Sequence, residues 1–481
     1  MKFVSYFLSF TFFILCISER GMAQTDKNKY EIIADMVRKG INDGNSDTVY
    51  QMTSANFQKK MTAAKFRTGM NKFKANNGYW QTLSFKSENE KGMDFLATFE
   101  LSQQIFSLKL DNEGKIERLN FEEIPFKKGI KGFKIKNNNP LKTNIDQLVD
   151  SLVNPYIQQS HTAGLVVAII KQGKVLRYSY GTTDKKKEVL PDPTQTIFEI
   201  GSITKTFTSL LLAKQVVAKR MQLSDNINKY LPDSIPLLSY HGKSIKLVHL
   251  ANHTAGLPRL PENIFNGNVN PRNPYFHYNR DSLFSYLKHF QLKSSPGINF
   301  SYSNYGAGLL GTILEMTTQA SFATLLKKEI TSPLAMTSTY IEIPANRQHD
   351  LAKGYNEKGL ETSPWDLASL KGSGAIRSTL NDMVKYANAQ MSGKSLLAKA
   401  IDLSHQITFE SKEQAMGLGW RIKTYQYEPY YYHAGGTGGF RSFVGFNKKH
   451  QLGIVILSNT AEEVAQIGET LIQKLLSSER D

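Results

Sequence analysis

Residues 198–205, FEIGSITK, combine a glycine turn, a serine and a lysine in one short segment. The turn at Gly201 directly precedes Ser202, and the apolar residues that follow predict a helix over 204–220. In a helix, a spacing of three residues stacks the Ser202 hydroxyl and the Lys205 amine on one face. A serine hydroxyl becomes a nucleophile when a base takes its proton, and a buried lysine with a lowered pKa is such a base. The segment therefore predicts a nucleophile–base pair at a helix start.

The same S-x-x-K spacing occurs a second time, at Ser285–Lys288. The spacing is therefore not specific by itself, and its surroundings must separate the two copies. Only the first copy combines a preceding glycine turn with a helix apolar enough to desolvate its lysine. We interpret Ser285–Lys288 as an ordinary helix surface.

A second segment, 296–306, reads PGINFSYSNYG. A loop of this kind before a helix places a phenol, Tyr302, and an amide, Asn304, so that both point into a cleft. In isolation, Tyr302 is better interpreted as a half-buried structural tyrosine.

A third segment, 433–440, reads HAGGTGGF, with four glycines in eight residues. Such a run lets the backbone at a strand edge come close to a ligand. The amides of Gly436 and Ser202 would then supply the two donors of an oxyanion hole. The alternative interpretation is a glycine-rich hairpin turn.

Apolar runs predict strands at both ends of the region from residue 143 onward: 165–171 and 174–180 near its start, 442–447 and 453–458 near its end. Helical patterns fill the middle. Strands at both ends with helices between them indicate one sheet built from distant parts of the sequence, backed by a helical lobe.

In this order, the three segments resemble the serine β-lactamase and penicillin-binding-protein superfamily, nearest its branch of class C β-lactamases, DD-peptidases and esterases. They match its F-x-x-G-S-x-T-K box, its Y-x-N loop and the place of its K-T-G box. The resemblance covers roughly residues 145–478. It implies an α+β catalytic domain of the β-lactamase/transpeptidase-like fold, with an antiparallel sheet flanked by helices and a helical lobe, over 143–481.

The resemblance also implies roles for the matching residues. Ser202 would be the acylated nucleophile, Lys205 and Tyr302 would share general-base and proton-shuttle work, and Asn304 would contact the substrate amide.

In the third box, His433 would take the place of the family's lysine and count with the catalytic residues. The Gly436 amide would complete the oxyanion hole, with Gly435 and Thr437 beside it in the substrate site. A histidine is mostly neutral at neutral pH, because its unperturbed pKa is about 6.5. This departure favours an esterase or peptidase over an efficient β-lactamase. Acyl or peptide preference is expected to lie in loops such as 262–278.

Helical spacings followed by strand patterns predict a small α+β domain over 24–126. Its pattern and length resemble the cone-like NTF2-like (cystatin-like) accessory domains, and it shows no cluster of catalytic residue types. Residues 127–142 carry six lysines with no acidic residue between them, which predicts an exposed basic linker.

Residues 1–23 have the layout of a secretory signal peptide: a basic start, an apolar stretch over 3–18 and small residues before a cut after Ala23. No later run reaches the length of a membrane span. We therefore expect a secreted or periplasmic protein without a transmembrane segment after cleavage. The chain's single cysteine, Cys16, lies in the removed segment.

A single cysteine excludes an internal disulfide and cysteine-rich metal sites, and neither a Walker A motif nor H-E-x-x-H is present. We expect no cofactor and no metal. The net charge of +17 is compatible with nucleic acid, but export makes an anionic envelope or cell-wall surface the better partner.

The sequence thus predicts a secreted serine hydrolase that cleaves an ester or a D-amino-acid peptide or amide. The alternatives are a β-lactamase or DD-carboxypeptidase with the same residues, and a non-catalytic penicillin-fold binding protein.

Overall fold

The computed structural model describes residues 27–267, 269–393 and 397–478. The predicted signal peptide, 1–23, and its cleavage after Ala23 lie outside these residues. Within the described ranges, every helix is too short or too polar to cross a membrane.

The chain forms two compact units. The first runs to Phe126 and also contains Phe265–Pro271. The second comprises Lys127–Ile264 and continues from Arg272.

The first unit packs helices against a four-stranded antiparallel meander in which neighbouring strands follow chain order. Val37 and Phe66 from the helices share a core with Trp80, Phe95 and Phe106 from the strands. Helices followed by strands agree with the predicted α+β unit, whereas its likeness to NTF2-like domains stays a prediction. The elements are α1 (27–42), α2 (Ser46–Gln51), α3 (Ala55–Lys60), α4 (Ala63–Asn77), β1 (Trp80–Asn89), β2 (Gly92–Phe99), β3 (Gln103–Leu110) and β4 (Ile116–Glu123).

The second unit has one large sheet and many helices. Its described helices are α5 (Asn144–Ile157), α6 (Thr204–Val217), α7 (Leu247–Ala251), α8 (Arg280–His289), α9 (Asn304–Thr318), α10 (Phe322–Leu326), α11 (Leu380–Ser392), α12 (Ala398–His405) and α13 (Ala465–Ser477). Its described strands are β5 (Gly164–Lys171), β6 (Lys174–Gly181), β7 (Phe198–Glu199), β8 (Ser239–Tyr240), β9 (Lys243–Ser244), β10 (Gly354–Tyr355), β11 (Glu361–Thr362), β12 (Arg377–Ser378), β13 (Phe409–Glu410), β14 (Ala415–Met416), β15 (Arg421–Tyr425), β16 (Glu428–Gly436), β17 (Arg441–Asn447) and β18 (Leu452–Ser458).

The large sheet has eight strands in the order β13-β14-β15-β16-β17-β18-β5-β6. Its last strand in sequence, β18, pairs antiparallel with its first, β5, so that Ile454 lies opposite Ile169. Ile454 and Ile169 belong to a core shared with α5 and α13, and α11 also contacts β5 and β18. Every residue of β18 is buried, because helices cover the sheet. The prediction of a sheet built from both ends of the region is confirmed.

Residues 127–142 were predicted as an exposed linker, and the structure is different at two points. Ile135 is 6% exposed and belongs to the core of the second unit. The Lys131 ammonium donates to the backbone oxygen of Ile157 at 2.7 Å and to Thr162 at 3.0 Å. Lys128 also finds a partner elsewhere in the unit, since its ammonium lies 2.7 Å from the Glu462 carboxylate. The segment is therefore a largely exposed strap, which is attached to the second unit at Lys131 and Ile135.

Candidate active site

The nucleophile segment forms a tight turn at the entrance to α6. Gly201 has φ +48°, and a Cβ on it would lie 2.5 Å from the Gly436 amide nitrogen. Only a glycine fits this turn, since the left-handed backbone and the close neighbour both exclude a side chain. A short 3₁₀ turn, Gly201–Ile203, then leads into the helix. Ser202 therefore sits at the helix start, as the sequence predicts.

Lys205 lies one turn further, and it is 2% exposed. Its Nζ lies 3.0 Å from Ser202 Oγ, 2.8 Å from Asn304 Oδ1 and 2.7 Å from the Ser373 carbonyl oxygen. Burial lowers the pKa of Lys205, and the nearby charge of Arg259 lowers it further, while Tyr302 acts in the opposite direction. A lysine with a lowered pKa can lose its proton and then accept one from a hydroxyl.

Tyr302 faces the same pair. Lys205 Nζ lies 4.8 Å from the centre of its ring, and the Arg259 guanidinium lies 5.3 Å from it. Burial alone raises the pKa of the Tyr302 phenol, but the charge of Lys205 and hydrogen bonds with Lys205 and Ser202 outweigh it, so that the net pKa is lowered. The phenol is therefore placed to pass protons to and from Ser202.

The loop that carries Tyr302 is held by its neighbour Ser303. The Ser303 hydroxyl donates to the Pro258 carbonyl at 2.6 Å and accepts from the Gly306 amide, which caps α9. The Ser303 amide donates to Nδ1 of His253 at 3.2 Å. His253 is thus a structural hydrogen-bond acceptor, and the centre of its ring lies 4.5 Å from that of Tyr302.

The third segment ends strand β16 beside the nucleophile turn. A Cβ on Gly435 would lie 2.1 Å from the Ile200 carbonyl oxygen and 3.0 Å from the Ser202 amide nitrogen. Together with the approach of Gly201 to the Gly436 amide, this contact places the amides of Ser202 and Gly436 near each other, as an oxyanion hole would require. Thr437, the next residue, is 7% exposed and lines a pocket that also contains Ser202 and Gly436.

His433 lies under this site and is 2% exposed. Its Nδ1 lies 2.7 Å from the Ala434 carbonyl oxygen, an acceptor, so Nδ1 carries the proton. Burial lowers the pKa of His433 to about 3, and the charges of Lys205 and Arg421 act in the same direction. The imidazole is therefore neutral over the physiological pH range.

Arg421 is a residue that the sequence reasoning missed. It lies on β15, opposite Tyr432 of β16, and its charge acts on both His433 and His253. Its guanidinium stacks 5.4 Å from the Phe300 ring. The available signal was its position directly after the string 417–420, GLGW, which the same family resemblance covers.

The neutral histidines predict an acid-sensitive fold. The pKa of His433 is lowered to about 3 and that of His253 well below its ordinary value, both mainly by burial. For His433, the unfolded chain binds more protons than the native one between about pH 3 and about pH 6.5. Stability therefore falls as the pH falls through this window, by up to about 1.4 kcal/mol per pH unit, and His253 acts in the same direction. We expect the free energy of unfolding to fall by about 2 kcal/mol less in His433→Gln than in wild type between about pH 7 and about pH 4.5. The measurement is urea unfolding followed by tryptophan fluorescence at each pH.

The control for this measurement is His349→Gln, since the His349 side chain is 76% exposed. It should follow the wild-type pH dependence. If the free energy of unfolding changed with pH at the same rate in His433→Gln and wild type, the result would contradict a neutral, buried His433.

A pocket opens next to Ser202, and it joins the predicted residues to others. Asn304, Gly436 and Thr437 line it together with Ser202. The remaining lining residues are mostly apolar or aromatic and were not singled out from the sequence: Leu260, Tyr275, Trp365, Leu367, Leu370, Ser373 and Gly374. Tyr275 lies in the loop 262–278 that the sequence associates with substrate preference. Among the described residues, no group of three His, Cys, Asp or Glu side chains is arranged to hold a metal ion.

The fold is β-lactamase/transpeptidase-like, and it brings together a serine at a helix start, a buried lysine and a loop tyrosine. This combination defines a class of protein, the serine hydrolases with a lysine beside the nucleophile. A family model described as Beta-lactamase matches residues 146–476. The chain belongs to this Beta-lactamase family.

Individual relatives agree with this assignment. A Beta-lactamase of Pseudomonas fluorescens is 30% identical over 356 residues, which cover 66% of this chain and 94% of that protein. A Beta-lactamase of Escherichia coli (strain K12) is 27% identical over 354 residues, which cover 66% of this chain and 89% of that protein. Among solved structures, one of a class C β-lactamase aligns with a TM-score of 0.62 and 25% identity, over 71% of this chain and 99% of that one.

Proposed function

We propose that this chain is an exported serine hydrolase that cleaves an ester or a D-amino-acid peptide or amide through an acyl-enzyme on Ser202. The observation that carries the proposal is the 3.0 Å contact between Ser202 Oγ and the buried Nζ of Lys205. The predicted signal peptide supports export. The strap 127–142, with its lysines, would favour an anionic envelope or cell-wall surface near the substrate.

In the acylation step, Ser202 Oγ attacks the substrate carbonyl carbon while its proton passes to neutral Lys205, directly or through Tyr302. The carbonyl oxygen becomes an oxyanion between the amides of Ser202 and Gly436. The bond from the carbonyl carbon to the leaving oxygen or nitrogen then breaks, and Tyr302 returns the proton to the leaving group. A water molecule attacks the resulting ester in the second half, with the proton transfers reversed.

The neutral His433 favours esters and peptides over efficient β-lactam hydrolysis. In the family, a lysine at this place supplies a fixed charge to the substrate carboxylate and to the tyrosine. Here, the pKa of His433 is about 3, so the side chain supplies no charge at neutral pH. A substrate without a carboxylate beside the scissile bond makes no ion pair with that lysine, so replacing the lysine by histidine does not weaken its binding.

A second candidate, a β-lactamase or DD-carboxypeptidase, is supported by Arg421. Its charge acts on His433 from β15 and would substitute for the missing lysine charge. A third, non-catalytic binding through the same cleft, is disfavoured because Ser202, Lys205 and Tyr302 are all in place for proton transfer.

One experiment separates the three. Purified protein is treated with a fluorophosphonate or with benzylpenicillin, and intact mass is measured, followed by turnover of p-nitrophenyl acetate and of nitrocefin. We expect a single adduct and a higher kcat/KM for the ester than for nitrocefin. Faster turnover of nitrocefin would favour the β-lactamase, and no adduct with either probe would favour a binding protein.

A further inference from the structure

The pocket beside Ser202 has one wall made of large apolar side chains. Leu367 and Leu370, which are 8% and 1% exposed, line it together with the half-buried Tyr275 and Trp365. The pocket encloses about 50 Å³, well below the range for pockets that hold drug-sized ligands. Such a space fits a compact apolar group rather than a long chain.

Trp365 is held in place by several contacts. Its amide donates to Glu199 Oε1 at 3.0 Å, and its carbonyl accepts from Arg377 at 2.7 Å. Glu199 is 4% exposed and pairs with Arg377 at 3.2 Å. A Cβ on Gly438 would lie 3.0 Å from three atoms of the indole, so the ring packs directly on this glycine.

Tyr275 meets Trp365 edge to face, with ring centres 5.1 Å apart and an interplanar angle of 86°. The two loops are also joined by the Asp366 amide, which donates to Asn273 at 2.9 Å. Aromatic rings attract further rings in this geometry, beyond the burial of their apolar area. The pair is therefore a pre-formed site for a flat ring.

The position of the pocket shows which part of a substrate it would receive. The leaving group needs a proton and must lie near Tyr302 and Lys205. The pocket contains Ser202 and Gly436, but Tyr302, Lys205 and His433 are not among its lining residues. We therefore assign this pocket to the acyl group, which stays on the serine, although the Lys205 acceptors Asn304 and Ser373 also line it.

We propose that Tyr275 and Trp365 are specificity-determining residues that select substrates whose acyl group carries a flat aromatic ring. This inference rests on the proposed acyl-enzyme function. The Glu199–Arg377 pair acts as a positioning element, because it fixes the backbone on both sides of the Trp365 peptide.

The test compares three p-nitrophenyl esters that share one leaving group: phenylacetate, cyclohexylacetate and acetate. We expect wild type to favour phenylacetate over cyclohexylacetate by at least tenfold in kcat/KM. Trp365→Ala should lower kcat/KM for phenylacetate at least tenfold more than it lowers kcat/KM for acetate. Tyr275→Leu, which keeps an apolar side chain, should reduce the preference in the same direction.

The matched control is Phe276→Ala, since Phe276 is aromatic, adjacent to Tyr275 and 60% exposed. It should keep the wild-type preference. Equal rates for the flat and the puckered ring in wild type, or an unchanged preference in both pocket variants, would overturn the inference. Failure of the proposed function itself would look different, because no ester would then show Ser202-dependent turnover.

Discussion

Replacing Ser202 by alanine is expected to reduce kcat/KM for the best ester by at least about 10⁴-fold, because loss of a nucleophile removes the covalent route altogether. The substitution deletes one hydroxyl at a half-buried position, so the fold should be kept. The measurement is initial-rate kinetics together with intact mass after fluorophosphonate treatment. Wild type should gain one adduct, and Ser202→Ala should gain none.

The chain provides its own control for this prediction. Ser285 has the same spacing to Lys288 as Ser202 has to Lys205, but it lies exposed on helix α8. Ser285→Ala should keep wild-type turnover and labelling. An adduct that persists in Ser202→Ala, or turnover within tenfold of wild type, would overturn the assignment of the nucleophile.

The comparison of these two serines also shows how far the sequence predicts the site. A glycine turn before an apolar helix distinguishes Ser202 from Ser285, and both features are visible in the sequence. The Gly435 and Gly436 pair beside it follows from glycine spacing in the same way. Local backbone requirements such as these are written in consecutive residues, which is why the nucleophile turn and the hairpin between β5 and β6 were predicted well.

Features set by long-range packing were not predicted. Trp365 reaches the site from a separate loop, and no residue near it in the sequence marks that it does so. For Arg421, on strand β15, the string 417–420 was the one available signal. The short strands β13 and β14 extend the sheet through pairing with neighbours rather than through their own pattern. The buried Ile135 was assigned to an exposed linker, because lysines around it hid a single core position. Whether His433 is charged also depended on burial, which the residue type does not reveal.

Replacing Lys205 by methionine is expected to produce the second large loss, of about 10²- to 10⁴-fold in kcat, which is the usual contribution of a general base. Methionine keeps the length and buried volume of the side chain but cannot take the Ser202 proton. KM should change little, because the Lys205 amine is buried under the nucleophile rather than in the acyl pocket. In wild type, burial lowers the pKa of Lys205, so the acylation rate should rise with pH as the amine loses its proton; this rise should be absent in the variant.

Stability must be measured beside activity, because Lys205 also donates to Asn304 Oδ1 and to the Ser373 carbonyl. Each acceptor left unsatisfied in a buried site costs about 1–3 kcal/mol, so a moderate fall in Tm is expected. The exposed Lys288→Met, from the second S-x-x-K copy, should change neither Tm nor kcat. A folded Lys205→Met protein that keeps more than a tenth of wild-type kcat would show that Tyr302 alone serves as the base. In that case Tyr302→Phe, and not Lys205→Met, would remove the pH-dependent rise, because the phenol would then be the group whose ionisation controls attack by Ser202.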